Sequence, residues 1–180
     1  MQDPSSFLNP ERVVSYFDIA KGSIVADFGA GAGYYTIPLA RKVGPEGKVY
    51  AFDIQPHSAD LVRSKARMHH ILQVEALTAD LERNHGTHLK DAVVDFILCS
   101  SVLHQAEDKL AVLHEAARIL KPGRLLAVIE WDLIPAPGGP KPEFRIAKAR
   151  ARELCESSGF MLDREFEAGT HHYGLLFKKR

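Results

Sequence analysis

The feature that most constrains this chain is Ile24-Val25-Ala26-Asp27-Phe28 running straight into Gly29-Ala30-Gly31-Ala32-Gly33. A short apolar run ended by closely spaced glycines reads as a buried strand turning sharply into a helix. The backbone at such a turn is left bare for a ligand to approach. The spacing then selects among ligands. A dinucleotide turn needs Gly-x-Gly-x-x-Gly, which with Gly29 and Gly31 in place asks for glycine where Tyr34 stands. No Gly-Lys-Ser/Thr follows, so the loop is not a Walker loop. Asp27 points the same way, because a carboxylate beside the turn repels a phosphate and attracts an ammonium group.

Four more apolar runs follow: Lys48 to Phe52, Gln73 to Leu77, Val93 to Cys99 and Arg124 to Trp131. Each is of strand length, and the best are apolar on both faces, as buried parallel strands are. Helix-like stretches alternate with them. Asn9-Pro10-Glu11-Arg12 opens the first with a capping residue and a proline at the first helical position. Others run from Tyr35 to Val43 and from Ser58 to His69. The clearest spans Glu107 to Leu120, with Leu110, Leu113, Ala117 and Leu120 at helical spacing and Lys121-Pro122-Gly123 ending it. A last helix is expected from Glu143 to Ser157, with Phe144, Ala147, Ala151 and Leu154 on one face. Arg145, Lys148 and Arg152 fall on another face, read as solvated.

This alternation predicts an α/β fold, a Rossmann-like, mostly parallel sheet with helices on both faces. Phe160 to Phe166, Gly169, and His171 to Lys178 read as two strands and a short turn, so the sheet is expected to end in a C-terminal antiparallel strand pair. Pro135 to Pro142 reads as a loop. The 180 residues suit one domain, with residues 1–22 as an N-terminal helical lid segment and 23–180 as the Rossmann-like core.

Asp53 ends the second strand, about where an acidic residue accepts hydrogen bonds from ribose hydroxyls. Asp80 follows the third strand and suits an adenine amino group. Three carboxylates at successive strand ends, Asp27, Asp53 and Asp80, lie on the carboxyl edge, where open α/β sheets bind ligands. S-adenosylmethionine carries an ammonium, a sulfonium and no phosphate, so it fits this set.

Acidic and basic residues number 23 each, so no net charge draws the chain to nucleic acid or to an anionic membrane. Cys99 and Cys155 make no disulfide framework, and Cys99 reads as a buried reduced thiol. Met1 to Ser6 lacks the pattern of a secretory signal and no apolar run reaches membrane-spanning length, so a cytoplasmic address is expected. His69-His70 and His85-x-x-His88 lack further ligands at metal-binding spacing, and no metal is expected.

Val25 to Gly33, Asp53, Asp80, Asp95 to His104 and Leu120-Lys121-Pro122-Gly123-Arg124-Leu125 together resemble class I methyltransferases. The resemblance covers roughly residues 9–180 and is nearest to small-molecule enzymes such as the quinone-biosynthesis C-methyltransferases. It implies that Asp27, Gly29, Gly31 and Gly33 hold the methionine end of S-adenosylmethionine. It implies Asp53, with Ile54 beside it, at the ribose, Asp80 and Leu81 at the adenine, and backbone near Cys99 and Ser100 at the amino group. The chain has Cys99-Ser100-Ser101-Val102 where amide and adenine methyltransferases carry Asn/Asp-Pro-Pro-Tyr, which argues against those acceptors.

Methyl transfer to a small acceptor is in-line displacement, helped mainly by proximity and exclusion of water, and yields S-adenosylhomocysteine. A base is needed only where the acceptor loses a proton. His104, just past the fourth strand, is the candidate, with a packing histidine as the plainer reading. Glu130 and Trp131 at the end of the fifth strand, and His171 and Tyr173 on one face of the last, are candidates for the acceptor pocket; packing is the alternative for each. The family suggests Tyr16, with Phe17, as a lid. Three rivals stay open: methylation of a protein or RNA partner, a non-catalytic cofactor-binding module, and more distantly a nicotinamide dehydrogenase. The assembly is left open to a homodimer.

Overall fold

The computed structural model describes residues 8–136 and 138–180. The readings of Met1 to Ser6, and Pro137 within the loop, lie outside the described residues. Seven strands form one sheet: β1 (Ile24–Phe28), β2 (Lys48–Asp53), β3 (Val74–Thr78), β4 (Val94–Ser100), β5 (Leu120–Trp131), β6 (Phe160–Glu167) and β7 (His172–Lys179). Their order is β3-β2-β1-β4-β5-β7-β6. The first five pair in parallel, and β7 runs antiparallel to both β5 and β6. The mostly parallel sheet with a C-terminal antiparallel pair is therefore as the sequence predicts.

Helices cover both faces. Alternation along β1 sends Val25 into the apolar layer of α1 (Pro10–Ser15) and α2 (Thr36–Val43), and Ala26 into the layer of α4 (Lys109–Ile119) and α5 (Lys148–Ser157). A small alanine-rich contact seats α3 (Pro56–Met68) on β2 and β3 through Ala59 and Val62. The chain winds outward from β1 to β3, then returns across β1 to begin β4. The carboxyl ends of β1 and β4 therefore diverge at a topological switch point, where a crevice opens.

Several boundaries differ from expectation. α4 starts at Lys109 rather than Glu107 because the Asp108 side chain caps it, accepting from Ala111 N. Its outer spacing is also misread, since Leu110 is exposed while Val112, Leu113, Ala116 and Ile119 are buried. β5 begins at Leu120, so Lys121-Pro122-Gly123 lies in its irregular first part rather than in a turn.

The largest correction concerns the last helix. It starts at Lys148, preceded by a single 3₁₀ turn at Pro142–Phe144. Arg145 cannot join a solvated helix face, because its guanidinium donates to the carbonyls of Pro140, Asp132 and Ile134. Phe144 is left exposed instead of joining the core.

Candidate active site

The glycine loop is fixed at its base by β2. Gly29 N and Ala30 N both donate to Phe52 O at 2.9 Å. Gly29 has φ +72°, and a Cβ there would lie 2.4 Å from Val102 Cγ2, so only glycine lets the β1 and β4 loops close together. Gly33 has φ +76° and turns the chain into α2 beside Val62, and it does not line the cavity.

A cavity of about 410 Å³ opens over this loop at the carboxyl edge of the sheet. Gly29, Gly31, Asp53, Ile54, Asp80, Leu81 and Ser100 line it, seven of the predicted cofactor residues drawn from four strand ends. Asp53 Oδ2 accepts from Gly31 N and Oδ1 from Gln55 N, both at 2.9 Å. The carboxylate is thereby aimed while lone pairs stay open to hydroxyl donors. Asp80 is held by Glu82 N and Arg83 Nε, each at 3.1 Å.

Asp27 and Cys99 are buried and do not line the cavity. Asp27 faces the α2 side, where Thr36 Oγ1 donates to its Oδ2 at 2.6 Å. No cationic side chain among the described residues pairs with it. Burial, with a smaller contribution from the charge of Asp53, pushes its carboxyl up to about 7 despite the Thr36 hydrogen bond. Cys99 is buried with its thiol raised by burial, so any part it plays is through backbone.

A second group stands beside the cavity, at the end of β5 and start of β7. Glu130 is fully buried and meets His104 Nδ1 at 2.6 Å. The Trp131 ring packs on His172 at 4.1 Å between centroids, with the Arg145 guanidinium 5.3 Å from its centre. Burial, then the nearby His171, Arg145 and His104, hold the His172 imidazole down to about 4. Tyr173 donates from its hydroxyl to Ile146 O, and burial raises that hydroxyl as well. His171 precedes β7 and accepts from Asp132 N through its carbonyl.

Tyr16 and Phe17 are not placed as a lid. Phe17 is buried against Phe96 and Phe166, and the Tyr16 hydroxyl accepts from Arg12 Nε. Neither lines the cavity. Sequence reading missed Gln55, Ser101, Val102 and Gln105, which do. Ser101 takes φ +57°, a left-handed residue at the exit of β4 that no motif announces.

The fold and this site define a Rossmann-like α/β protein whose cavity suits a nucleoside-bearing ligand with a cationic end. The methyltransferase-domain family model matches residues 19–168. A SAM-dependent methyltransferase from Aquifex aeolicus superposes with TM-score 0.89 at 31% identity, covering 99% of this chain and 94% of that one. The demethylmenaquinone methyltransferase of Listeria welshimeri is 30% identical over 124 residues, 67% of this chain and 50% of that protein. That of Geobacillus stearothermophilus is 28% identical over 122 residues, 66% of this chain and 49% of that protein. The chain thus spans about half the length of the curated relatives it matches. It belongs to the class I S-adenosylmethionine-dependent methyltransferases. Among the described residues no helix is long and apolar enough to cross a membrane.

Proposed function

We propose that the chain transfers a methyl group from S-adenosylmethionine to a small-molecule acceptor at oxygen, nitrogen or carbon, releasing S-adenosylhomocysteine. The observation that carries this reading is the single cavity wall shared by the glycine loop, Asp53, Asp80, Leu81 and Ser100. Its residues fit the donor. Gly29 and Gly31 put bare backbone into the cavity wall, and Asp27 is a buried carboxylate without a cationic partner among the described residues.

Asp53 would hold the ribose, Asp80 and Leu81 the adenine, and Asp27 with the loop backbone the methionine end. The bound donor supplies a methyl carbon already activated by its sulfonium. This chain's residues position the acceptor and exclude water. His104 takes a proton where the acceptor has one to lose.

The small-molecule acceptor is supported by likeness to demethylmenaquinone methyltransferases. It is also supported by the fate of the basic stripe, where Lys148 pairs with Glu165, Arg152 pairs with Glu156 and Arg145 is spent on loop carbonyls. Each cation of that stripe thus already has a partner within the chain.

Calorimetric titration with S-adenosylmethionine tests the reading. Wild type is expected to bind, and Asp53→Ala to bind about 10- to 100-fold more weakly, the loss of one or two charge-assisted hydrogen bonds. Absence of binding by wild type sinks the proposal, and unchanged affinity in the variant sinks the ribose assignment. A screen of metabolites for uptake of labelled methyl then names the acceptor.

A further inference from the structure

Glu130 has more partners than an acceptor-pocket wall needs. Its Oε1 accepts from the backbone N–H groups of Leu103, at 2.7 Å, and His104, at 3.4 Å. Its Oε2 meets His104 Nδ1 at 2.6 Å. The Glu130 side chain is fully buried, and that of His104 is 8% exposed. Clamping the turn after β4 needs only Oε1. The second oxygen is spent on the imidazole.

That turn is held firmly. Ser101, at φ +57°, donates its N–H to Ile129 O, and Gln105 N and Ala106 N both close on Val102 O. Val102 and Gln105 of the same turn line the cavity, while His104 points inward to β5. The imidazole is thus fixed against Glu130, one residue from the cavity-lining Gln105.

We propose that Glu130 is a positioning residue that holds His104 as its Nδ1–H tautomer, leaving Nε2 as the basic nitrogen. Oε1 takes two backbone N–H groups as a carboxylate does, and a carboxylate only accepts, so the hydrogen in the 2.6 Å contact is assigned to Nδ1. In an imidazole the nitrogen opposite the protonated one is the base, and the hydrogen-bond partner selects which. This role rests on the methyl-transfer reading. The proton of an acceptor O–H, N–H or C–H passes to Nε2, and its bonding pair stays on the acceptor atom. The imidazolium so formed faces the Glu130 carboxylate. The logic is that of the aspartate behind the histidine in serine proteases, where the amide replacement leaves the wrong tautomer.

The same chemistry makes a sharp prediction for Glu130→Gln. The amide oxygen keeps the two backbone N–H donors, which turns the NH₂ towards Nδ1. Nδ1 must then accept, and the proton moves to Nε2.

Long-range proton–nitrogen NMR on the whole chain labelled with ¹⁵N reads the tautomer without any acceptor. The tautomer is read in the neutral ring, recognised by one protonated and one bare ring nitrogen. The His104 signals are assigned by their loss in His104→Gln. Wild type is expected to show a pyrrole-type Nδ1 and a pyridine-type Nε2. The reverse, or an averaged mixture, overturns the proposal. Glu130→Gln is expected to invert the pattern, and retention of Nδ1–H overturns it. Should that variant fail to fold, the wild-type spectrum decides alone. Calorimetry with S-adenosylmethionine on the same sample separates the two claims, since loss of donor binding defeats the methyl-transfer reading and leaves the tautomer result standing.

Discussion

Thr36 Oγ1 donates a 2.6 Å hydrogen bond to Asp27 Oδ2 inside the protein, joining the first residue of α2 to the end of β1. This contact eases the ionisation of Asp27, whose carboxyl burial pushes up to about 7. Between the ordinary value of 3.8 and about 7, the folded chain keeps a proton that the unfolded chain has lost. Stability without donor therefore falls as pH rises through that window, by up to about 4 kcal/mol, and levels off above it.

An ammonium ligand reverses the preference, because it binds the ionised form. S-adenosylmethionine affinity should fall about tenfold per pH unit below about 7, with proton release on binding largest near and below that value. Thr36→Val should raise the carboxyl further and move the acid limb to higher pH. Calorimetric titrations in buffers of different ionisation enthalpy check both. An affinity that is flat from about pH 5 to 8 removes Asp27 from the ammonium.

Gly29 and Gly22 share a left-handed backbone, with φ of +72° and +78°, but differ in their surroundings. A Cβ at Gly29 would meet Val102 Cγ2 at 2.4 Å, while at Gly22 nothing lies within 4 Å. Gly29→Ala should lose about 2–4 kcal/mol of stability from strain and overpacking. It should also lose at least about tenfold in donor affinity, roughly one hydrogen bond's worth, as Val102 and Gly29 are pushed apart. Gly22→Ala should lose only about 1 kcal/mol and bind the donor as wild type does. Thermal unfolding and calorimetry on the pair separate backbone strain from damage to the cavity, and equal loss of affinity in both would contradict the account.

The sheet was legible because parallel strands are apolar on both faces, as Val94 to Cys99 is, and glycines mark where they end. Asp53, Ile54, Asp80, Leu81 and Ser100 followed from that edge, since strand ends in a parallel sheet share one side. What stayed hidden is tertiary. Val102 touches Gly29 only because β4 returns beside β1, and sequence spacing carries no trace of that contact. Glu130 read as a wall residue because its three nitrogen partners come from the turn after β4. Phe17 read as a lid from the family, whereas its ring closes the core against Phe96 and Phe166. The start of α5 was missed because Arg145 found better partners than a helix face could offer.

Those partners make the last prediction. Arg145 donates from Nε to Pro140 O at 2.8 Å, and from Nη1 to Asp132 O at 2.7 Å and Ile134 O at 2.8 Å. Its guanidinium also lies over Trp131, and a Cβ at Gly139 would strike that ring. One planar cation thus ties both limbs of the loop after β5 to the tryptophan beside the cavity. Lysine cannot replace it, because a single ammonium offers neither the planar fork nor the stack. Arg145→Met should free Leu133, Ile134 and Phe144, already exposed, for cleavage by thermolysin at least about tenfold faster than wild type, with Arg145→Lys closer to Met than to Arg. Donor affinity should stay within about twofold, since neither Arg145 nor the loop lines the cavity. Mapping the cleavage sites by mass spectrometry beside calorimetry checks both halves. Unchanged cleavage would mean that the Pro-rich loop holds its shape without the guanidinium.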